Sequence, residues 1–354
     1  MKSVTEQLLK LMSNWMGSFS GAYNVREDGA CVGRQSTDNI KIESKLDGKP
    51  GLDIHILSGA KGETVSIPAC VTHGDVDDLV YNDFYVGEGA EVTIVAGCGV
   101  HTENGEPARH NGIHRFFLSK NAKVKYVEKH VGTGSGQGIR SIDPVTEAIL
   151  DEGAVLEMDT SQIGGVDRTD RRTRAKLAAG AKLLIRERLL TEKEQQAKTE
   201  FEVEMNGEGA ATDLVSRSVA RGNSHQAYRS RIVGNAPCSG HSECDALIAD
   251  HGAVDAAPEL TANHGDAALI HEAAIGKIAG EPAAFLMSVR NRRRYSSMER
   301  AFSGNCSGNL VRPGSRPAAV SSRCGRLFSG KPAVPASSAG IAGFPFTNNL
   351  QIYH

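Results

Sequence analysis

GEGAEVTIVAG, residues 87–97, decides how this chain folds. A glycine supplies the positive φ of a tight corner, and a small alanine (Ala90) fits inside that corner. Val92-Thr93-Ile94-Val95 then alternates as a strand does. The phrase recurs as SGAKGETVSI at 58, KNAKVKYVE at 120, EGAVLEMD at 152, AGAKLLIRE at 179, EGAATDLVS at 208 and HGAVDAAPEL at 251. Its alanines, at 60, 90, 122, 154, 181, 210 and 253, are spaced 30, 32, 32, 27, 29 and 43 residues apart.

Repeats of this length mark stacked architectures. Between about 25 and 280 no helical period of ten or more residues interrupts them, which excludes a βαβ fold. A β-sandwich does not require similar turns at a near-constant period. A solenoid does, because each coil must stack on the last. The expectation is an all-β chain, a right-handed parallel β-helix with an N-terminal helix and an irregular C-terminal tail. Its inward column is expected to be aliphatic. The end coils need covering, and the N-terminal helix is a candidate cap.

That helix is read from MKSVTEQLLKLMSNWM, whose apolar positions 8, 11, 12, 15 and 16 fit one helix face. Glu6 and Lys10 lie inside the apolar stretch, unlike a secretory leader. No apolar run approaches the roughly 18 residues of a membrane span. The seven cysteines (31, 70, 98, 238, 244, 306 and 324) are odd in number. These features predict a cytoplasmic protein with free thiols and no membrane partner.

The formal charge of −2 over 354 residues hides a split. Residues 283–354 hold ten Lys/Arg and one acid, Glu299, whereas the preceding 282 hold 30 Lys/Arg and 41 Asp/Glu. The acidic body argues against a polyanionic substrate.

Three constellations carry possible chemistry. The run Gly132-Thr-Gly-Ser-Gly-Gln-Gly138 lacks the Gly-Lys-Ser/Thr ending and the following helix of a phosphate loop, so it reads as a plain loop. Cys98, His101, His110 and His114 form a C-x2-H-x8-H-x3-H array of good zinc ligands. They lack the paired spacing of a zinc finger, and a structural role is favoured. The third is Cys238-Ser-Gly-His-Ser-Glu-Cys244, followed one repeat later by His271-Glu272. Cys244 and Glu272 are 28 residues apart, so they are expected near each other on adjacent coils. Thiolates with imidazole and carboxylate suit iron–sulfur clusters or zinc.

These last motifs also carry a resemblance. Gly21-Ala-Tyr-Asn-Val-Arg-Glu, Asp77-Asp-Leu-Val-Tyr-Asn-Asp-Phe-Tyr, Ala96-Gly-Cys-Gly-Val-His, Arg109-His-Asn-Gly-Ile-His-Arg-Phe-Phe, Val215-Ser-Arg-Ser-Val-Ala, Gly240-His-Ser-Glu-Cys-Asp-Ala-Leu-Ile and His271-Glu-Ala-Ala-Ile-Gly-Lys-Ile bear it. The chain resembles the SufB/SufD family of the SUF iron–sulfur cluster assembly system, especially its short, stand-alone SufB-like members. The resemblance covers roughly 20–281.

It implies a β-helix scaffold, not an enzyme, on which a cluster is assembled and passed to apo iron–sulfur proteins. The implied partners are a SufC-type ABC ATPase and a cysteine desulfurase or sulfur carrier. It implies Cys244 as thiolate ligand and sulfur acceptor, with Glu272 and His271 as further ligands. One Cys, one Glu and one His do not fill the usual four positions of a cluster. Either Cys238 helps, or a second protomer contributes, in a homodimer or a SufB/SufD-type heterodimer. The cluster type is open, as is assistance by a flavin. Two other classes compete: a β-helix carbohydrate-active enzyme, and nucleic-acid binding through the basic tail. The second is not favoured.

The expected organisation is a helix and cap at 1–20, a β-helix core at 21–281 and a basic tail at 282–354. Relatives of the family continue after Gly-Lys-Ile-x-Gly-Glu with Gln and a short helical domain that docks the ATPase. Here Pro282-Ala283-Ala284 follows Glu281, and eleven Ser, five Pro and seven Gly after residue 282 break any helical pattern. The tail is read as a disordered basic arm, a divergent extension, or out-of-frame sequence, the last being favoured. Gln-Leu-Leu encoded as CAG-CTG-CTN becomes CCA-GCT-GCT, Pro-Ala-Ala, when one C is inserted before it. Out of frame, the tail would lack the ATPase-docking segment, and Cys306 and Cys324 would carry no meaning. Resequencing the gene across codon 282 is expected to remove one base and restore Gln-Leu-Leu; an unchanged read overturns the expectation.

Overall fold

A computed structural model describes residues 2–13 and 15–278 of the chain. The readings placed on the tail from 282, including Cys306 and Cys324, lie outside the described residues. Helix α1 (Ser3–Ser13) precedes two antiparallel hairpins, β1 (Ala22–Glu27) with β2 (Ala30–Gln35), and β3 (Ile40–Ser44) with β4 (Gly51–Ile56). Five long strands follow: β5 (Lys61–Val71), β6 (Val76–Val86), β7 (Glu91–His101), β8 (Ala108–Leu118) and β9 (Lys123–Thr133). Next come β10 (Arg140–Ile142), β11 (Val145–Leu150), β12 (Val155–Ile163), β13 (Arg168–Leu177), β14 (Lys182–Thr191) and β15 (Gln196–Met205). The last five are β16 (Ala211–Ala220), β17 (His225–Gly234), β18 (Cys238–Ile248), β19 (Ala253–Ala262) and β20 (Ala267–Lys277).

The strands fall into two sheets. One runs β2-β1-β5-β7-β9-β12-β14-β16-β18-β20, the other β19-β17-β15-β13-β10-β8-β6-β4-β3. Pro144, which has no N–H to give a ladder, separates β10 from β11, and both pair with β8 and β13. Apart from the two hairpins every pairing is parallel, and the result is a parallel β-solenoid of about 8 turns.

The corners behave as the repeat demands. Gly59, Gly89, Asn121, Gly153, Gly180 and Gly209 all have positive φ, from 56° at Asn121 to 74° at Gly59. The one Asn in the series fits, because after Gly it is Asn and Asp that enter the left-handed region most readily. Each of these amides donates to a carbonyl of the next coil at 2.8–3.0 Å. The alanines that follow, 60, 90, 122, 154, 181 and 210, are buried. All six precede strands of the same sheet. The seventh match differs: Ala253 is exposed and opens β19 in the other sheet, and Asp250 takes the positive φ there. The interval of 43 residues is therefore a change of corner.

Glycines 136 and 138 stack on the loop of the neighbouring coil. A Cβ at either would collide with the backbone of Asn104 or Glu106, so this glycine run is close backbone packing.

The interior is only partly aliphatic. Phe84, Phe116 and Tyr126 pack together with ring centroids 4.7 and 5.2 Å apart, among Ile, Val and Leu from both sheets. Beside them runs a buried polar column that includes Asp78, His110, His114, Glu128, His130, Arg171 and Glu187. Arg171 donates to Glu128 Oε2 at 2.7 Å and lies 3.4 Å from Glu187 Oε1. Thr199 and Ser216 donate to the two oxygens of Glu187 at 2.9 and 2.7 Å. Burial alone would lift the Glu128 carboxyl, but His130 and Arg171 hold it well below the usual carboxylate range. Alternation alone does not signal such a column, because inward polar residues keep the same period as apolar ones.

Helix α1 does not close the end of the solenoid. It lies on the outer face of the first sheet, packing Leu8, Leu9 and Met12 against Val25 and Cys70. The buried side is Thr5, Leu8, Leu9 and Met12, while Leu11 and Met16 are exposed. At 100° per residue, positions 5, 8, 9 and 12 fall on one side of a helix that stops at Ser13. The sheet makes room with glycine: a Cβ at Gly97 would lie 2.8 Å from Met12 Cβ, and one at Gly99 2.9 Å from its sulfur. The two hairpins stand at the N-terminal ends of the sheets instead. Gly99→Val is expected to overpack this seam at a cost of about 1–3 kcal/mol. Emission of Trp15, the sole tryptophan, should shift to the red while the β-sheet circular dichroism persists.

Candidate functional site

Cys244 sits on β18, where alternation turns Cys238, Gly240, Ser242, Cys244 and Ala246 inward, and His241, Glu243 and Asp245 outward. It is 2% exposed and in register with Ser216 of β16 and Ala273 of β20. Burial pushes its thiol up to about 12, and the Glu187 and Asp245 carboxylates add to that effect. The thiol therefore holds its proton at neutral pH until something displaces it.

His271, on β20, also faces inward. It is in register with Ser242, two residues before Cys244, so the two side chains are diagonal neighbours on one face. Its Nδ1 is buried without a hydrogen-bond partner, and burial lowers the ring's pKa.

Glu272 is the register partner of Glu243 and faces outward, with its side chain 68% exposed. Adjacent-coil placement of Cys244 and Glu272 holds, but the sheet stands between their side chains. On the outer face Glu272 joins residues that spacing alone had not singled out. Its Oε2 is 3.8 Å from His241 Nε2, while His241 Nδ1 meets Asp213 Oδ1 at 2.8 Å. One ligand atom each from His241, Glu243 and Glu272 lie within 4.8 Å of one another. Arg217 binds Glu243 at 3.0 Å and lies 3.6 Å from Asp245. The signal for this cluster was the i, i+2 pair His241 and Glu243, read through strand alternation and one coil of register.

Cys238 faces inward like Cys244, but six residues earlier on the same strand, roughly 20 Å away at about 3.3 Å per residue. The structure does not bring it to Cys244 as a shared ligand. β20 is the outermost described strand of its sheet, and among the described residues nothing pairs with its far edge. The two inward groups, Cys244 and His271, therefore lie on the last two coils described.

The sequence model of the family described as SUF system FeS cluster assembly, SufBD core domain, matches residues 81–290. The chain belongs to the SufBD family. It is 30% identical over 258 residues to an iron-sulfur cluster assembly SufBD family protein of Archaeoglobus fulgidus, covering 72% of this chain and 68% of that one. A SufBD family protein of Methanocaldococcus jannaschii is 27% identical over 259 residues, covering 72% of this chain and 80% of its own. One from Methanothermobacter thermautotrophicus is 26% identical over 245 residues, 67% of this chain and 58% of its own. Membership of the SufBD family assigns a role in iron–sulfur cluster assembly and leaves the polysaccharide reading without support. Among the described residues no helix is long and apolar enough to cross a membrane.

Thiol reactivity checks the site's electrostatics. In the native protein at mildly alkaline pH, exposed Cys31 is expected to alkylate while Cys244 stays unmodified until denaturant is added. Peptide mass spectrometry reads both sites, and equal rates would contradict the burial argument.

Proposed function

We propose that this SufBD protein is the scaffold on which an iron–sulfur cluster is built, with Cys244 as thiolate ligand and sulfur acceptor. His271 is the second inward ligand, and Glu272 acts from the outer face of the same coil. The proposal includes a SufC-type ATPase and a cysteine desulfurase or sulfur carrier as partners, and transfer of the finished cluster to apo-proteins.

The observation that carries this reading is the pairing of Cys244 with His271 on one inward face, one coil apart, where the described sheet ends. A buried thiol of high pKa becomes a ligand when a metal ion displaces its proton. Sulfur would reach it as the terminal sulfur of a donor persulfide. Ionised Cys244 attacks that sulfur, the new S–S bond forms, and the donor cysteine leaves as thiolate. Two inward ligands do not complete a cluster, and Cys238 is too far along the strand to add one. A second protomer abutting along β20 would supply the remainder and leave the cluster accessible for release. That arrangement suits a donor whose cargo must depart.

Anaerobic reconstitution with iron and sulfide tests the reading. The native chain is expected to develop the visible absorption of a cluster. Cys244→Ala should lose it, and His271→Ala should weaken it. A full cluster on Cys244→Ala, with unchanged iron and sulfide content, refutes the assignment.

A further inference from the structure

Near the hairpin end of the solenoid, the second sheet opens onto a cavity of about 310 Å³. Cys98, His110 and His114, three of the four members of the C-x2-H-x8-H-x3-H array, line it together with Asn82. The fourth, His101, is engaged elsewhere, with Thr133 and Glu103.

Strand β8 turns His110, Gly112 and His114 inward, and β6 sets Asp78 beside His110 and Asn82 beside His114. The hydrogen bonds dictate which nitrogen of each ring is free. His110 Nδ1 is 3.1 Å from Asp78 Oδ2. Arg26 Nε and Nη2 also donate to the two Asp78 oxygens at 2.7–2.9 Å, so Asp78 is an ionised acceptor. His110 Nδ1 must therefore be the donor, and in the neutral ring Nε2 keeps its lone pair. Tyr126 donates its one hydroxyl proton to ionised Glu128 at 2.8 Å. Its oxygen can then only accept from His114 Nδ1, 2.9 Å away. That puts the His114 proton on Nδ1, and in the neutral ring the lone pair is on Nε2.

Both Nε2 atoms lie beside Gly112, the one inward position of β8 without a side chain. A Cβ on Gly112 would lie 2.9 Å from His114 Nε2 and 3.3 Å from His110 Nε2. Asn82, 5% exposed, has a buried Oδ1 with no hydrogen-bond partner. Of the four cations lining the cavity, Arg26 binds Asp78, Lys45 lies between Asp53 and Asp83 and Lys49 is 4.0 Å from Asp47, while Arg34 donates to the neutral Asn24 and Ser44.

We propose that this cavity binds one divalent transition-metal ion through His110 Nε2 and His114 Nε2, with Asn82 Oδ1 as an oxygen ligand. Two imidazoles and an amide oxygen suit zinc, iron(II) or cobalt(II). The carboxylate behind His110 and the phenol behind His114 orient the rings as outer partners of metal-bound histidines do. The site is separate from Cys244. In the first sheet β7, which carries Cys98, and β18 are five strand spacings apart, roughly 24 Å at about 4.8 Å each.

Anaerobic cobalt(II) titration of the full chain, made in a Cys244→Ala background, tests this. One equivalent is expected to bind with the visible d–d absorption of a low-coordinate site. His110→Gln and His114→Gln should abolish that absorption, Asp78→Asn should weaken binding about 10- to 100-fold, and Glu272→Gln should leave it intact. Should a histidine variant fail to fold, cobalt-edge X-ray absorption of the Cys244→Ala protein still decides, since two imidazoles are expected in the metal's shell. A shell without imidazole, no binding at all, or absorption that follows Glu272 instead of His114 overturns the proposal.

Discussion

In-register parallel stacking governs this molecule. Beyond the two hairpins, each strand lies on the equivalent strand of the previous coil, nearly residue on residue. Because side chains alternate with a period of two, a residue's face is inherited through the whole stack. Cys244 is inward because Ser216 below it is inward, and Glu272 is outward because Glu243 below it is outward. Shifting one strand by a single residue would exchange every buried group in that coil for an exposed one. The site, the polar column and the cavity are three consequences of that one rule.

The column of buried charge shows what the rule costs. Arg171 lies inside the solenoid between Glu128 and Glu187, where each ion has lost its water. The set is tolerable because the charges touch and the spare carboxylate oxygens accept from hydroxyls of Tyr126, Thr199 and Ser216. Removing one member of such a set typically costs about 3–5 kcal/mol, since it strands a buried charge. Glu128 is held below its ordinary value of 4.5, so its contribution is complete above that pH and is lost as pH falls toward the lower folded value. The column reaches the register neighbours of Cys244 through Ser216, and Glu187 adds to the rise in the Cys244 pKa. The interior charges and the proposed ligand are therefore electrostatically coupled.

The corners were the most legible part of the chain. Gly or Asn followed by a buried Ala is a local requirement, stated in two adjacent residues, and six of the seven matches occupy equivalent corners. The seventh misled because Gly252-Ala253 repeats the wording at a different corner. The helix was legible as a helix but not in its place, since its seat depends on Gly97 and Gly99, more than eighty residues away. Cys244, His271 and Glu272 were legible as a group through the motifs they share with the SufBD family. Their division between two faces was not, because a spacing of about one coil fixes the neighbour but leaves a one-residue ambiguity of register.

By itself the sequence determined the repeat, the all-β solenoid and the family, because these reside in local patterns of two to ten residues. Only the tertiary structure decided which face each residue takes, which ring nitrogens of His110 and His114 are engaged, and that Cys238 stands apart from Cys244. Those depend on the stacking register and on hydrogen bonds between strands some thirty residues apart, where a shift of one residue reverses the answer.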